Sequence, residues 1–306
     1  MDDQLNAFLA GLATEQVLPD SQTLDQMTGR EIARLMNQAD RAVADAVAQA
    51  VNSIGDAIEA IAQRLTRGGR LIYTGAGTSG RLGVLDASEC PPTFSVAPDR
   101  VQGIIAGGDI ALRNAVEGAE DSEPQGGEDL KALNLTQDDT VVAISASGYA
   151  PYCIGALKYA KSLGALAVSL SCNKGARISE YADIAIETPT GAEVLSGSTR
   201  LKAGTATKMV LNMLSTGAMV RTGRVFGNLM VDVSVSNRKL EKRAVRIVRY
   251  ATGLSLEESE KRLQAAGGRV KTAIVMEKGN MSRIEAEAAL QNAGGWVRRA
   301  LCKEQA

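Results

Sequence analysis

The chain has 306 residues, of which 34 are basic and 35 acidic, and its formal net charge is −1. A near-zero charge gives no positive field for a polyanion, and only 3% of the residues are aromatic, so we expect no nucleic-acid partner. Histidine is absent, which excludes catalytic triads and metal sites built on imidazole. Acid and base chemistry must then use Glu, Asp, Lys, Tyr or Cys side chains.

The length of the chain predicts about two domains. Its first residues, Met1–Gln4, lack the basic and apolar stretches of a secretion leader, and no apolar run reaches the ~18 residues of a membrane span. We therefore expect a cytoplasmic protein with no membrane segment. The cysteines form no C-x-x-C pair, so we expect small buried thiols rather than zinc ligands or disulfides: Cys90, Cys153, Cys172 and Cys302.

The region before the first expected strand is mostly helical in its pattern. Residues 1–26 show little periodicity, and we expect them to lie along the surface. A capping box at Thr28 and Glu31 follows, and apolar residues spaced three and four apart then predict one long helix over 40–65. Its single apolar face requires a partner, either the sheet of the same chain or a second chain at a dimer seam.

The middle of the chain alternates between strand and helix patterns. Strands are predicted at 71–74, 93–96, 101–106, 140–144, 165–170 and 182–186. Helices are predicted at 81–89 (ending before Pro91), 109–121 (capped by Asp109), 153–162 and 196–219, and 126–134 is expected to be a connection with helical character. This alternation predicts an α/β fold with a parallel sheet covered on both faces, and ligands bind such sheets at the carboxyl ends of the strands.

The carboxyl-terminal part contains an internal repeat. Ser255 and Glu258 form one predicted capping box, and Ser282 and Glu285 form a second one 27 residues later. A Gly-Gly pair ends each of these helices, and a shorter helix follows it. We expect a small helical subdomain over 252–306 with a packing or interaction role.

A glycine-rich turn follows the first strand of the alternation. Its glycines allow the backbone to bend sharply and to approach a ligand closely, at Gly75, Gly77 and Gly80. Thr78 and Ser79 lie at the start of a helix, where unpaired N–H groups and the helix dipole favour an anion. The turn therefore predicts a phosphate-binding loop. The G-x-G-x-x-G spacing is also the dinucleotide fingerprint, with Asp99 in the place of its ribose-binding acid.

Further hydroxyl-bearing loops favour a phosphate monoester over a dinucleotide. Ser145 and Ser147 follow a predicted strand, and Ser198 and Thr199 open a predicted helix. Several hydroxyl groups at strand ends suit the oxygens of one compact phosphate, which accept many hydrogen bonds. Each loop alone is also compatible with an ordinary turn or cap. Nearby cations either add positive charge to the site or lie in solvent: Arg81, Arg200, Lys202 and Lys208.

Two glutamates extend the apolar stripes of predicted helices. Glu89 follows Leu82 and Leu85 on one stripe, and Glu120 continues the stripe of the next helix. Both are expected near a helix carboxyl end and partly buried, and each effect raises the pKa of a carboxyl group towards acid/base use. The alternative for each is a carboxylate that reaches water from the edge of its stripe. Other acids compete for the role: Asp86, Asp109 and Glu193.

Several segments resemble the N-acetylmuramic acid 6-phosphate etherases. The segment 71–94 carries the glycine turn and the Glu-Cys-Pro-Pro sequence that starts at Glu89, and the segments 104–122 and 200–206 also match. Glucokinase regulatory proteins share parts of these motifs. The resemblance covers nearly the whole chain and implies a sugar-isomerase (SIS) domain, which is a three-layer αβα sandwich around a parallel sheet, and a homodimer.

The resemblance also implies an activity and its residues. N-acetylmuramic acid 6-phosphate and water would give N-acetylglucosamine 6-phosphate and D-lactate, without metal or cofactor, in the cytoplasmic recycling of peptidoglycan sugar. Glu89 corresponds to the family's proton donor and Glu120 to its second glutamate. Phosphosugar contacts carry over to Thr78, Ser79, Ser145, Ser147 and Ser198. The segment 15–19 is given no role, because Leu18 stands where relatives often have Asn.

Together these patterns predict three parts of the chain. A helical segment at 1–66 packs on the SIS domain and forms the dimer seam, the phosphosugar-binding SIS domain spans 67–245, and the helical repeat subdomain spans 252–306. Other functions stay open at this point. They are a non-catalytic phosphosugar-binding regulator, a phosphosugar isomerase and a dinucleotide enzyme.

Overall fold

The computed structural model describes residues 8, 10–233 and 238–302. Met1–Gln4, on which the expectation of no leader rests, lie outside these residues. The chain forms two compact units, one of Met1–Ser88 with Asp99–Ser215 and the other of Glu89–Pro98 with Thr216–Ala306. The division at 1–66, 67–245 and 252–306 rests on motifs and family resemblance rather than on compactness, and it stays a prediction.

The described chain before the sheet forms shorter helices than expected: α1 (Gly29–Asp40), α2 (Ala42–Ala48) and α3 (Val51–Thr66). The prediction of one continuous helix over 40–65 was therefore wrong. The chain leaves helical geometry at Ala50, whose ψ is 7°. Val47 and Ile54 on either side of this break are both buried, so the apolar spacing continues across it and conceals it. The capping box of Thr28 and Glu31 is present as predicted.

Among the described residues, five parallel strands form the central sheet in the order β2-β1-β3-β4-β5: β1 (Leu71–Gly75), β2 (Val101–Ile105), β3 (Thr140–Ile144), β4 (Leu166–Ser171) and β5 (Ile184–Glu187). Leu71 of β1 pairs with Val101 of β2 on one side and with Thr140 of β3 on the other. All residues of β1, β3 and β4 are buried, as in strands covered on both faces. The predicted α/β fold with a parallel sheet is confirmed.

Helices cover both faces of this sheet: α4 (Gly77–Phe94), α5 (Glu123–Ala132), α6 (Pro151–Ser162) and α7 (Lys202–Arg221). Adjacent residues of β1 point to opposite faces. The Tyr73 hydroxyl donates to Asp86 Oδ2 of α4 at 3.0 Å and contacts the Leu211 carbonyl of α7 at 3.4 Å. The Thr74 hydroxyl donates instead to the Tyr152 hydroxyl of α6, at 3.3 Å. The result is the three-layer αβα arrangement.

Helix α4 is longer than predicted. It continues to Phe94 through Pro91 and Pro92, so the expected stop before the prolines and the expected strand over 93–96 were both wrong. Each proline removes one N–H donor, but its fixed φ is close to the helical value, so hydrogen bonds are lost without forcing a stop. The chain leaves the helix at Ser95, whose φ is 48°.

The helix predicted over 109–121 is not formed. The chain makes only short 3₁₀ turns at Asp109–Leu112 and Ala119–Asp121. Each turn follows a glycine with positive φ, 68° at Gly108 and 72° at Gly118, and Asp109 caps neither turn. Because such backbone breaks the helical period, the stripe that led to Glu120 does not exist in the structure.

The second unit consists largely of short helices, with a small antiparallel hairpin: β6 (Val225–Phe226), β7 (Leu229–Met230), α8 (Arg238–Thr252), α9 (Leu256–Ala265), α10 (Val270–Gly279), α11 (Arg283–Asn292) and α12 (Val297–Leu301). Ser255 and Ser282 form the two predicted capping boxes. The N–H groups of Gly268 and Gly295 donate to the carbonyls five residues earlier, at 2.9 and 2.8 Å, so both repeats end alike. None of the described helices has the length and hydropathy needed to cross a bilayer.

The cysteines are free thiols. Cys90, Cys153 and Cys172 are buried as expected, whereas Cys302 is exposed, contrary to the expectation. Burial raises the pKa of Cys153 to about 12 and that of Cys172 to about 11. These two thiols are therefore protonated at neutral pH and are poor nucleophiles.

A buried ion pair joins the start of β1 to the start of β3. Asp139 is 1% exposed, and its carboxylate accepts from Nε and Nη2 of Arg70 at 3.0 and 2.7 Å. The backbone N–H groups of Arg70 and Thr136 donate to the same carboxylate, each at 2.8 Å. Desolvation acts to raise the pKa of Asp139, but these hydrogen bonds outweigh it and hold the pKa below its ordinary value.

We expect Asp139→Asn to lower the free energy of unfolding by about 3 kcal/mol, because the Arg70 guanidinium loses its counter-charge. The control Asp138→Asn removes only an exposed ion pair with Arg67 and should cost less than about 1 kcal/mol. Urea unfolding at pH 7 measures both. The contribution of the Asp139 charge should be complete above its ordinary pKa of 3.8 and fade as the pH falls through its lower folded-state pKa. Equal losses in the two variants would contradict this account.

Candidate active site

A cavity of about 260 Å³ opens at the carboxyl ends of β1 and β3. The strand order of the sheet reverses between these two strands, and ligands of such sheets bind at this reversal. The glycine turn after β1 forms one wall and the loop after β3 forms another. Thr199, Gly204 and Thr207, before and within α7, complete the polar lining.

The glycine turn brings backbone to the cavity without side chains. A Cβ atom on Gly75 would lie 2.6 Å from the Ile144 carbonyl oxygen, and one on Gly80 would lie 2.5 Å from the Gly75 oxygen. Glycine is therefore required at both positions. Helix α4 begins directly after this turn, so Thr78 and Ser79 lie in its first turn, where N–H groups have no partner within the helix.

The loop after β3 presents two hydroxyl groups. Ser145 Oγ and Ser147 Oγ lie 3.3 Å apart, and each accepts a backbone hydrogen bond, from Gly148 N at 3.1 Å and Tyr149 N at 3.3 Å respectively. Both hydroxyl oxygens accept hydrogen bonds from the backbone of the loop. Each hydroxyl group can therefore donate its own proton, either to the other serine or to a ligand oxygen. The loop is thus a donor surface for an anion.

The structure brings most of the predicted phosphate contacts together, since Thr78, Ser79, Ser145 and Ser147 all line the cavity. Ser198 is not among the lining residues, although its neighbour Thr199 is. The helix expected from 196 begins only at Lys202 because the buried Glu193 carboxylate caps it. That carboxylate accepts from the N–H groups of Lys202 and Ala203, at 3.0 and 2.9 Å.

Glu120 lines the same cavity as these hydroxyl groups, although the residue as a whole is exposed rather than partly buried as expected. Its pKa is raised above the ordinary carboxyl value, first by desolvation and then by the negative charges of Asp121 and Glu117. A carboxyl group with a raised pKa changes protonation nearer to neutral pH, which suits acid/base chemistry. The position of Glu120 in the 3₁₀ turn Ala119–Asp121, rather than a helical stripe, gives it this environment.

Glu89 has a different environment. It is exposed on α4, about three helical turns after Thr78, and it is not among the residues that line the cavity. It belongs to the second compact unit, whereas the lining residues of the cavity all belong to the first. The described cavity therefore contains Glu120 without Glu89.

The three other acids that were candidates for acid/base chemistry lie outside the cavity. Asp86, 7% exposed, accepts from the hydroxyl of Tyr73 and from Asn212 Nδ2, at 3.0 and 2.7 Å. Glu193 caps α7, and Asp109 lies exposed in a 3₁₀ turn. None of the three acids lines the cavity.

Sequence reasoning missed Glu15, a second carboxyl group in the cavity lining. The segment that carries it is anchored, because the N–H of Thr14 donates to Asn173 Oδ1 at 3.3 Å and Asn173 Nδ2 donates to Thr14 Oγ1 at 3.0 Å. Thr14 is fully buried, so the expectation that residues 1–26 lie along the surface was wrong at this point. The signal that could have found Glu15 was the family resemblance of the segment 15–19.

No lysine or arginine is among the residues that line this cavity. Arg81 donates to the carbonyls of Leu112 and Ala111, at 3.0 and 2.8 Å, and the buried Lys202 donates to the Thr190 carbonyl at 2.9 Å. An anion here would be held by hydroxyl and N–H donors at a helix start. Within the described residues, no three carboxylate or thiol groups are arranged to hold a metal ion.

Comparison with known proteins identifies the family. Residues 53–161 match the glucokinase regulatory protein N-terminal SIS domain, and residues 118–217 match the SIS domain. N-acetylmuramic acid 6-phosphate etherase 1 of Bacillus licheniformis is 52% identical over 275 residues, which cover 90% of each chain. The etherase of Geobacillus thermodenitrificans is 56% identical over 269 residues, covering 88% of this chain and 91% of that one. The chain belongs to the N-acetylmuramic acid 6-phosphate etherase family.

Etherase 1 of Vibrio cholerae is similar to the same extent, with 53% identity over 274 residues that cover 90% of this chain and 91% of the relative. The resemblance to the etherase family that the segments 71–94, 104–122 and 200–206 indicated is confirmed. The alternative of dinucleotide binding gains no support, because Asp99, the expected ribose-binding acid, does not line the cavity.

We expect the kcat/KM of this etherase-family protein to fall on the acid side around a pKa above the ordinary glutamate value of 4.5, because the Glu120 carboxyl group can accept a proton only when it is ionised. Asp121→Asn removes a negative charge that raises this pKa and should move the acid limb to lower pH. The control Asp109→Asn changes an exposed acid that is not among the causes of the shift and should leave the limb in place. A pH–rate profile measures all three proteins, and an acid limb unmoved by Asp121→Asn would argue against Glu120 as the base.

Proposed function

We propose that the chain is an N-acetylmuramic acid 6-phosphate etherase, a carbon–oxygen lyase that releases D-lactate and N-acetylglucosamine 6-phosphate. The observation that carries the proposal is 52–56% identity, over about 90% of the chain, to relatives of that name. The hydroxyl-lined cavity supports it, because its donors suit a sugar phosphate. We place the reaction in the cytoplasm, in the recycling of peptidoglycan sugar.

The phosphate of the substrate binds between the glycine turn and the loop after β3. Thr78 and Ser79 contribute first-turn N–H and hydroxyl donors, and Ser145 and Ser147 contribute hydroxyl donors. We keep Ser198 as a proposed contact, although Thr199 beside it supplies the lining group. With the phosphate bound in this way, carbon 2 and carbon 3 of the open-chain sugar lie near Glu120.

The aldehyde of the open-chain sugar makes the carbon 2 proton acidic. The Glu120 carboxylate takes this proton, the electron pair forms a carbon 2–carbon 3 double bond, and the bond from carbon 3 to the lactyl oxygen breaks. A carboxylic acid, assigned to Glu89, protonates the departing oxygen of lactate. Water then adds at carbon 3 and a proton returns to carbon 2, which gives N-acetylglucosamine 6-phosphate.

The assignment of Glu89 requires a second chain. Glu89 is exposed and does not line the cavity described above. We infer that a homodimer supplies Glu89 from the partner subunit, because a two-fold interface brings the same surface of both chains together. We therefore propose a homodimer in which each site combines Glu120 of one chain with Glu89 of its partner.

Incubation with N-acetylmuramic acid 6-phosphate in H₂¹⁸O tests the function. Elimination followed by water addition should place the label on carbon 3 of the product sugar and leave the released D-lactate unlabelled. Mass spectrometry of both products measures this. Phosphosugar binding without lactate release would indicate a regulator, and interconversion of hexose phosphates without lactate would indicate an isomerase. Labelled lactate would indicate direct attack on the lactyl carbon instead.

Variants of the two glutamates test their roles. Glu120→Gln should lower lactate release by about 10²–10⁴-fold and abolish carbon 2 exchange with deuterated solvent, because the base is lost. Glu89→Gln should lower lactate release comparably while carbon 2 exchange persists, because only leaving-group protonation is lost. NMR of the sugar measures the exchange. Loss of exchange in Glu89→Gln, with the fold intact, would contradict the division of roles.

The same two variants test the shared site. A mixed dimer of Glu89→Gln and Glu120→Gln chains, isolated with two affinity tags, contains one site with both native glutamates and should recover about half of the wild-type activity. If one chain supplied both glutamates to its cavity, the mixed dimer would be as inactive as each single variant.

A further inference from the structure

A second cavity of about 190 Å³ adjoins the first, and the two share Ala76, Gly77 and Glu120 in their walls. The shared wall is thus the glycine turn and the carboxyl group with the raised pKa. Most other lining residues are small and apolar, and they include Ala106, Ala111, Ala115 and Val116. The charged residues of this lining, besides Glu120, are Arg81 and Glu117.

Arg81 offers unused donors in this lining. Its Nε donates to the Leu112 carbonyl at 3.0 Å, and its Nη2 contacts the carbonyls of Ala111 and Asn114 at 2.8 and 3.4 Å. A guanidinium group has five N–H donors, so the two on Nη1 have no acceptor among the described residues. No carboxylate of the described chain forms an ion pair with it, and three backbone carbonyls fix its orientation. The result is an oriented cation with spare donors in a cavity whose other lining residues are small and apolar apart from Glu117 and Glu120.

We propose that this second cavity, the lactyl subsite, binds the lactyl group of the substrate. Arg81 Nη1 donates to the lactyl carboxylate, and the alanine and valine side chains contact the lactyl methyl group. The proposal rests on the proposed etherase function and deepens it, since it names the residues that recognise the part of the substrate that leaves.

The chemistry of the substrate fits this division of the two cavities. The phosphate lies in the first cavity, and Glu120 in the shared wall lies where the carbon 2 proton is removed, so the carbon 3 substituent points onward into the second cavity. A lactyl group combines one negative charge with one methyl group, which matches one guanidinium beside the alanine and valine side chains of the lining. The acetamido group is neutral and gives no reason for an unpaired guanidinium.

The charges also account for product release. Glu117 and Glu120 line the same cavity and repel a carboxylate, so Arg81 is needed to offset them. While the lactyl group is joined to the sugar, the contacts of the phosphate with the first cavity hold the lactyl group in place. After the ether bond breaks, lactate keeps only its contacts with this cavity and leaves.

The test compares the substrate with the product sugar, which lacks the lactyl group. Arg81→Gln removes the charge while keeping an amide donor for the loop carbonyls, and Ala115→Leu adds bulk to a lining residue while leaving the Arg81 side chain unchanged. Each variant should lower kcat/KM for N-acetylmuramic acid 6-phosphate by about 10- to 100-fold. The inhibition constant of N-acetylglucosamine 6-phosphate should stay nearly unchanged. As a control, Ser145→Ala in the first cavity should weaken substrate and product alike.

Two results would overturn the lactyl subsite. If Arg81→Gln and Ala115→Leu weakened the binding of the product sugar as much as that of the substrate, these residues would support phosphate binding or the loop. This result would overturn the lactyl subsite. Unchanged kcat/KM in Ala115→Leu would overturn it as well, and this variant keeps the test valid if Arg81→Gln fails to fold. Lactate release by the wild type separates these results from a failure of the function itself, since a wild type that releases no lactate overturns both proposals.

Discussion

The site depends on the close approach of two stretches of backbone where the strand order reverses. Gly75 and Gly80 pack so tightly that a Cβ atom on either would meet a carbonyl oxygen at 2.5–2.6 Å. This packing brings the first turn of α4 beside the loop after β3, so that two sets of donors face one cavity. Both strands that end there are fully buried, and the donors are therefore fixed by the core of the sheet.

The lining of the proposed phosphate cavity, as described, contains hydroxyl and N–H donors but no lysine or arginine. Hydroxyl and N–H donors are neutral, so in the proposed function they would bind phosphate oxygens without neutralising the carboxylates nearby. A lysine or arginine beside Glu120 would lower its pKa and make it a weaker base. Binding by neutral donors thus allows desolvation and the neighbouring acids to keep the pKa of Glu120 raised. Arg81 lines the second cavity, which Glu120 also lines, but it is not among the causes that shift the pKa of Glu120.

The sequence predicted the parts of the fold that follow from local periodicity and turn chemistry. The strands of the parallel sheet, the glycine turn after β1 and the repeated capping boxes each depend on residues close together in the chain. The break at Ala50 could not be predicted, because the apolar spacing continues across it. The continuation of α4 through Pro91 could not be predicted either, because a proline usually indicates the end of a helix. Glu120 was selected from a helical stripe that the structure lacks, yet it lines the cavity, because a turn rather than a helix carries it there. Glu15 escaped notice because its placement is decided by Asn173, far away in the sequence.

The pairing of Thr14 with Asn173 spans 159 positions of the chain. During synthesis the segment that carries Glu15 leaves the ribosome early, but its anchor follows β4 and emerges only after most of the sheet has been made. Closing so long a loop carries an entropic cost that only the assembled sheet can offset. The carboxyl group of Glu15 therefore joins the cavity late in folding, and a nascent or truncated chain that stops before residue 173 has no means of holding it there.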